Sequence, residues 1–234
     1  MPDRAIKAIL TANGLGFNEA GRPSWWYEAL DGRNAADDLT HFELDYITEH
    51  VARTGSVLVT GCGVGLSTIP LFERGYHDIE GFDYLPNVVA AAQAVAKAAN
   101  VPIKYWQMDG FRPKLTRQYD CITAMHWVYS AWMGNYTNPV ESRVDRELIL
   151  REFLEPYAEA LRPGGSMLVE LVDANMLDNA FPPYRAYPIR HTPEQVATAA
   201  QANGLNVALT VTNPFGQRSI VVLYVLSKTS APEA

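Results

Sequence analysis

Val57-Leu58-Val59-Thr60-Gly61-Cys62-Gly63-Val64-Gly65 is an apolar run that passes straight into glycines at alternate positions. The run reads as a buried strand ending in a tight turn that opens a helix. Glycines there let the backbone reverse sharply and let a ligand lie almost on the main chain. Asp83 follows 22 residues after Gly61, at the end of the next apolar run. A carboxylate so placed accepts hydrogen bonds from both hydroxyls of a ribose. A dinucleotide fingerprint would put its third glycine at position 66; this chain has Leu66 there and Gly65 before it, which counts against a nicotinamide cofactor.

Outward from this turn, apolar runs alternate with helical patterns, as in a parallel sheet flanked by helices. The expected strands are SVLVT (56–60), DIEGFD (78–83), IKYWQMD (103–109), YDCITAM (119–125) and SMLVELV (166–172). PNVVAAAQAVAKAAN reads as a helix opened by Pro86 and closed near Asn100. A second helix, roughly 141–161, is expected to stop at LRPGG. About nine residues join the third and fourth strands, which implies an abbreviated connection without a full crossover helix. After a helix around PEQVATAAQAN, the runs LNVALTVT and SIVVLYVLS, joined by NPFGQ, read as an antiparallel hairpin. Leu39, Phe42, Tyr46, Ile47 and Val51 recur at helical spacing ahead of the first strand. Residues 1–55 are therefore taken as a helical cap of the same domain, and residues 56–228 as its body.

Composition narrows the function. The 234 residues are 48% hydrophobic and 19% charged, as in an ordinary globular protein. A net charge of -7 would repel a phosphate backbone. Arg143, Arg146 and Arg151 are interleaved with Glu141, Asp145, Glu147 and Glu152, which reads as a solvated helix face rather than a basic patch. Neither a signal peptide nor a membrane span is read, so a cytoplasmic protein without a membrane or nucleic-acid partner is expected. Cys62 and Cys121 have no His or Cys at metal-ligand spacing, so neither a disulfide nor a metal site is expected.

Taken in order, VLVTGCGVG, Asp83, Asp109, YDCITAM and LRPGG resemble the successive motifs of class I S-adenosylmethionine-dependent methyltransferases. The resemblance covers roughly residues 56–172. It implies a Rossmann-like α/β fold: a seven-stranded, mostly parallel sheet with an antiparallel C-terminal hairpin, helices on both faces and an N-terminal helical cap. It also implies S-adenosylmethionine as cofactor. Gly61, Cys62, Gly63 and Gly65 would meet its methionine part, Asp83 its ribose, Tyr84 or Leu85 its adenine, and Asp109 with Gly110 the adenine's exocyclic amine. The family usually carries an acid two residues before the first glycine, where this chain has Val59. Glu28 or a backbone carbonyl is left to meet the cofactor's ammonium.

His126 follows the fourth strand, at the position that in this family faces the transferring methyl group. With an ordinary pKa of about 6.5, an imidazole there suits removal of a proton from an acceptor hydroxyl or amine. The alternative is a histidine that only shapes the pocket. Asp173, after the fifth strand, is a second candidate base, and His41, His50, His77 and His191 read as surface or packing residues. Three aromatic groups, Trp25-Trp26-Tyr27, Trp127 with Tyr129, Trp132 and Tyr136, and Phe181 with Tyr184 and Tyr187, fall near the carboxyl edge of the strands. From these, Trp25, Tyr27, Trp127, Tyr129 and Tyr184 are expected to enclose a small acceptor, aromatic or amine-bearing. Methyl transfer to oxygen or nitrogen of a small molecule is thus the expected activity. An NAD-dependent oxidoreductase and a non-catalytic partner subunit of the same fold are its rivals; Leu66 counts against the first, and Val59 keeps the second open.

Overall fold

A computed structural model describes residues 3–16, 26, 36–128, 146–175, 189–212 and 221–229. Seven strands hydrogen-bond in the order β3-β2-β1-β4-β5-β7-β6, with β1 at Val57–Thr60, β2 at Ile79–Asp83, β3 at Lys104–Gln107, β4 at Tyr119–Ala124, β5 at Leu161–Val172, β6 at Leu205–Thr212 and β7 at Val221–Lys228. The chain divides into two compact units, residues 1–110 and 111–234.

In the first unit β1, β2 and β3 are parallel, with Val57 opposite Ile79 and Glu80 opposite Lys104. Every residue of β1 is buried, as a continuous apolar strand requires when both its faces are covered. Helix α1 spans Asp3–Ala12, α2 spans Ala36–His50, α3 spans Thr68–Glu73 and α4 spans Pro86–Ala99. Proline at the first turn pre-sets the entry of α4, and Asn100 closes it in the left-handed region at φ 56°. Its buried side carries Val88, Val89, Ala91, Ala92, Val95 and Ala96. The short helix α1 was not anticipated; Leu10 and Leu15, within and just after it, join Val64, Val88 and Ala91 in one apolar cluster. Helix α2 appears where the helical spacing predicted it, buried through Leu44 and Ile47. It is moored at three points. Tyr76 donates its hydroxyl to the carbonyls of Ile47 and Val51, at 2.7 and 2.8 Å, Ser67 donates to Glu43, and Arg74 reaches Asp45 at 3.3 Å.

In the second unit β4 and β5 are parallel, while β7 runs antiparallel to both β5 and β6. The C-terminal hairpin is therefore present; NPFGQ, its expected turn, lies outside the described residues. Helices α5 (Arg146–Ala160) and α6 (Pro193–Ala202) precede β5 and β6 respectively. Thr192 and Gln195 form a reciprocal capping box at the start of α6, satisfying donors that a helix start leaves open. LRPGG does end α5, but it does not form a free loop: Leu161 already pairs with Tyr119, so the strand starts immediately. Extended backbone suits Pro163, and Gly165 packs so closely on Tyr119 and Asp120 that a Cβ there would meet their carbonyl oxygens at 3.2 and 3.0 Å. Residues 108–118 carry no helix, as the short third connection required.

Candidate functional site

The first unit assembles most of the residues expected at a nucleoside site. Gly61, Gly63 and Gly65 have φ values of 60°, 54° and 94°, the left-handed region that side-chain-bearing residues rarely adopt. Cys62 N–H donates to the Phe82 carbonyl at 2.9 Å, stitching the turn to the end of β2. One carboxylate then binds both loops: Asp83 accepts from Gly63 N–H at 3.1 Å and from Leu85 N–H at 3.0 Å. Burial raises its pKa above the ordinary carboxyl value, while the Leu85, Gly63 and Tyr84 N–H groups pull it back. The Met108 N–H donates to the Asp83 carbonyl at 3.0 Å and Gln107 donates to the Tyr84 carbonyl at 3.1 Å, so β3 holds the same corner.

Beyond Asp83 the surface is unusual for a packed domain. Tyr84 is 66% exposed and Leu85 47% exposed, two large apolar side chains standing side by side in the open. Asp109 is also exposed, and Gly110 after it is buried. Adjacent exposed apolar side chains commonly mark a contact surface for a ligand or partner.

The glycines serve the protein as well as a ligand. A Cβ at Gly63 would overlap the indole of Trp26, and one at Gly65 would come within 3.0 Å of the Tyr105 hydroxyl. At Gly63 the direction a Cβ would take is filled by the indole. Trp26 is half-buried and packs on the Leu10 cluster together with Leu66. Sequence reasoning grouped it with Trp25 and Tyr27 but did not single it out; no spacing rule ties position 26 to Gly63. Leu66 is explained too: it packs on that cluster at the position a dinucleotide loop would leave as glycine. Below Gly65, Thr68 and Tyr105 share a buried hydrogen bond of 2.5 Å, and burial raises the Tyr105 phenol above its usual value. Burial likewise pushes the Cys62 thiol well up, so it is a neutral packing group. Both Cys62 and Cys121 are free thiols.

The second unit holds His126, at φ 67° two residues after the end of β4. Its backbone N–H donates to Glu170 of β5 at 2.7 Å, and its Nδ1 lies 3.5 Å from the same carboxylate oxygen. Burial lowers the imidazole pKa to about 4, leaving it neutral at physiological pH. Trp127 is half-buried among Phe111 and Phe153, with ring centroids 5.4 and 6.0 Å away. His191, expected to be a packing residue, is buried and meets the Arg146 carbonyl through Nε2 at 2.9 Å. Trp25, Tyr27, Glu28, Tyr129, Trp132, Tyr136, Phe181, Tyr184 and Tyr187 lie outside the described residues. Among the described residues no helix is long and apolar enough to cross a membrane.

Comparison with known proteins agrees with this geometry. Residues 57–139 match the family model described as a methyltransferase domain. A protein of Geobacillus sp. (strain WCH70) whose name assigns it as a methyltransferase is 23% identical over 160 residues, 68% of this chain and 59% of that protein's own length. Among solved structures, magnesium protoporphyrin IX methyltransferase from Synechocystis PCC 6803, bound to S-adenosylhomocysteine, superposes with a TM-score of 0.64 at 17% identity, covering 89% of this chain and 90% of that one. An S-adenosylmethionine-dependent methyltransferase from Clostridium acetobutylicum gives 0.65 at 11%, covering 87% and 96%. An amino pentose methyltransferase from Micromonospora echinaspora, bound to S-adenosylmethionine, gives 0.60 at 15%, covering 87% and 96%. Over residues 57–139 the chain is thus similar to a methyltransferase domain, and its fold is the Rossmann-like one of the S-adenosylmethionine-dependent methyltransferases it superposes on.

Proposed function

We propose that this protein transfers the methyl group of S-adenosylmethionine to oxygen or nitrogen of a small molecule, in the cytoplasm. The observation that carries the reading is the Asp83 corner: one carboxylate at the end of β2, tied to the glycine turn by Gly63 N–H and flanked by exposed Tyr84 and Leu85. A ribose diol satisfies the carboxylate's remaining lone pairs, and an adenine covers the two apolar side chains. Gly61, Cys62, Gly63 and Gly65 would border the methionine part, with Asp109 and Gly110 at the adenine edge. These residues fit the nucleoside, and the filled position at Leu66 fits a dinucleotide poorly. Names of the structural neighbours that specify small molecules, a porphyrin in one case and an amino pentose in another, support an acceptor of that class.

The cofactor supplies a methyl group on a positively charged sulfur, and the transfer destroys that charge. The protein's task is to align the acceptor and exclude water. His126 is the residue proposed to meet the acceptor, with Trp25, Tyr27, Trp127, Tyr129 and Tyr184 enclosing it. Residues 1–55 are proposed as the cap of the catalytic domain at 56–228. Calorimetric titration with S-adenosylhomocysteine and, separately, NADH tests the cofactor: the first should bind and the second should not. Asp83→Ala should weaken S-adenosylhomocysteine about 10- to 100-fold, since hydrogen bonds to a charged group contribute about 1.5–3 kcal/mol. Unchanged affinity in that variant, or binding of NADH alone, would overturn the proposal.

A further inference from the structure

Glu170 is a carboxylate in the middle of a sheet. It sits on β5 between Val169 and Leu171, is 1% exposed, and is not needed for any cofactor contact assigned above. A buried carboxylate costs several kcal/mol unless it is paired and hydrogen-bonded. His126 meets it twice: its backbone N–H donates to Oε2 at 2.7 Å, and its Nδ1 stands 3.5 Å from that same oxygen. His126 in turn holds φ 67°, a conformation that costs a residue with a side chain about 1–2 kcal/mol. Two costly features, a buried carboxyl group and a left-handed histidine, are thus joined by one short hydrogen bond.

We propose that Glu170 is the positioning residue for His126: it fixes the left-handed backbone and, by facing Nδ1, keeps the ring proton there, so that Nε2 carries the lone pair that takes a proton from a hydroxyl acceptor. The carboxylate acts on the tautomer because Nδ1–H points a positive dipole at it, whereas an Nδ1 lone pair would face a negative charge. A neutral imidazole in this tautomer is a base through Nε2 only. The acceptor oxygen attacks the methyl carbon, the carbon–sulfur bond breaks with its electron pair returning to sulfur, and the acceptor proton passes to Nε2 to give an imidazolium. An amine acceptor that arrives neutral already has its lone pair and gains little from such a base. The pairing therefore favours O-methylation, an assignment that rests on the proposed meeting of His126 with the acceptor.

The test reads the tautomer itself in the full-length protein labelled with 15N-histidine, by two-bond proton–nitrogen correlation at pH 7.5, with the His126 signal identified by its loss in His126→Asn. The wild-type ring should carry its proton on Nδ1 almost exclusively. In Glu170→Gln the amide can still accept the His126 N–H but has no charge, and the Nδ1-protonated fraction should fall toward parity. A wild-type ring protonated on Nε2 overturns the inference without any variant having to fold, as does an unchanged tautomer in Glu170→Gln. Titration of the same samples with S-adenosylhomocysteine separates the two readings: binding with the wrong tautomer sinks the Glu170 role alone, whereas failure to bind sinks the methyltransferase reading and leaves the tautomer result standing.

Discussion

Gly63→Ala tests the packing of the glycine turn most sharply. Two separable penalties follow from the geometry. At φ 54° an alanine pays about 1–2 kcal/mol for the left-handed conformation. Its Cβ would also overlap the Trp26 indole, which is held by the Leu10–Val88 cluster and cannot retreat without opening it. Overpacking of that kind costs about 1–3 kcal/mol. The sum, roughly 2–5 kcal/mol, is a large part of the 5–15 kcal/mol that typically holds a domain together. A double-mutant cycle with Trp26→Ala distinguishes the two terms, because removing the indole relieves the overlap but not the backbone strain. Urea denaturation followed by circular dichroism should show Gly63→Ala costing about 2–5 kcal/mol in the wild-type background but only about 1–2 kcal/mol beside Trp26→Ala. An equal cost in both backgrounds would mean the indole does not rest on the turn. A cost under about 0.5 kcal/mol, the level of a neutral surface change, would refute the left-handed turn as well.

Tyr105→Phe breaks the buried hydrogen bond to Thr68 beneath Gly65. It should cost about 1–3 kcal/mol in urea midpoint stability, the range for a buried partner left unsatisfied, and Thr68→Val with Tyr105→Phe should recover part of it. His126 and His191 are both shifted by burial from 6.5 to about 4. Between those values the unfolded chain binds protons that the folded one does not, so stability should fall as pH drops from about 6.5 toward 4. The loss is on the order of 3 kcal/mol for each histidine at most, from 1.36 kcal/mol per pH unit. Urea midpoints that stay level between pH 7.5 and 4.5 would show that these rings are hydrated.

Much of this organisation was legible in the residues because it rests on local rules. VLVTGCGVG could be read as strand and turn since a continuous apolar run and alternating glycines each have one economical conformation, and β1 ends at Thr60 as expected. The place of Asp83 was legible because the apolar run IEGF before it could only end there, and β2 does end at Asp83. What escaped depends on contacts between distant positions. Trp26 meets Gly63 across 37 residues, Thr68 meets Tyr105 across the same separation, and Glu170 meets His126 across 44. Glu170 in particular sits within SMLVELV, where period and hydropathy identify a strand but are silent about which neighbour its carboxylate faces. LRPGG was read for its inability to stay helical; that its backbone pairs at once with β4 depends on the partner strand.

The three moorings of α2 bear on how the first unit comes apart. Tyr76 closes the last carbonyls of that helix, Ser67 holds its middle, and Arg74 reaches its outer side. All three partners lie in the stretch that follows β1, so fraying α2 exposes carbonyls and a buried glutamate whose counterparts lie at the two ends of α3 and in the loop that leads into β2. Its inner amides should therefore exchange with deuterium at the pace of β1 rather than of a detachable arm, which makes helix and strand one unfolding unit.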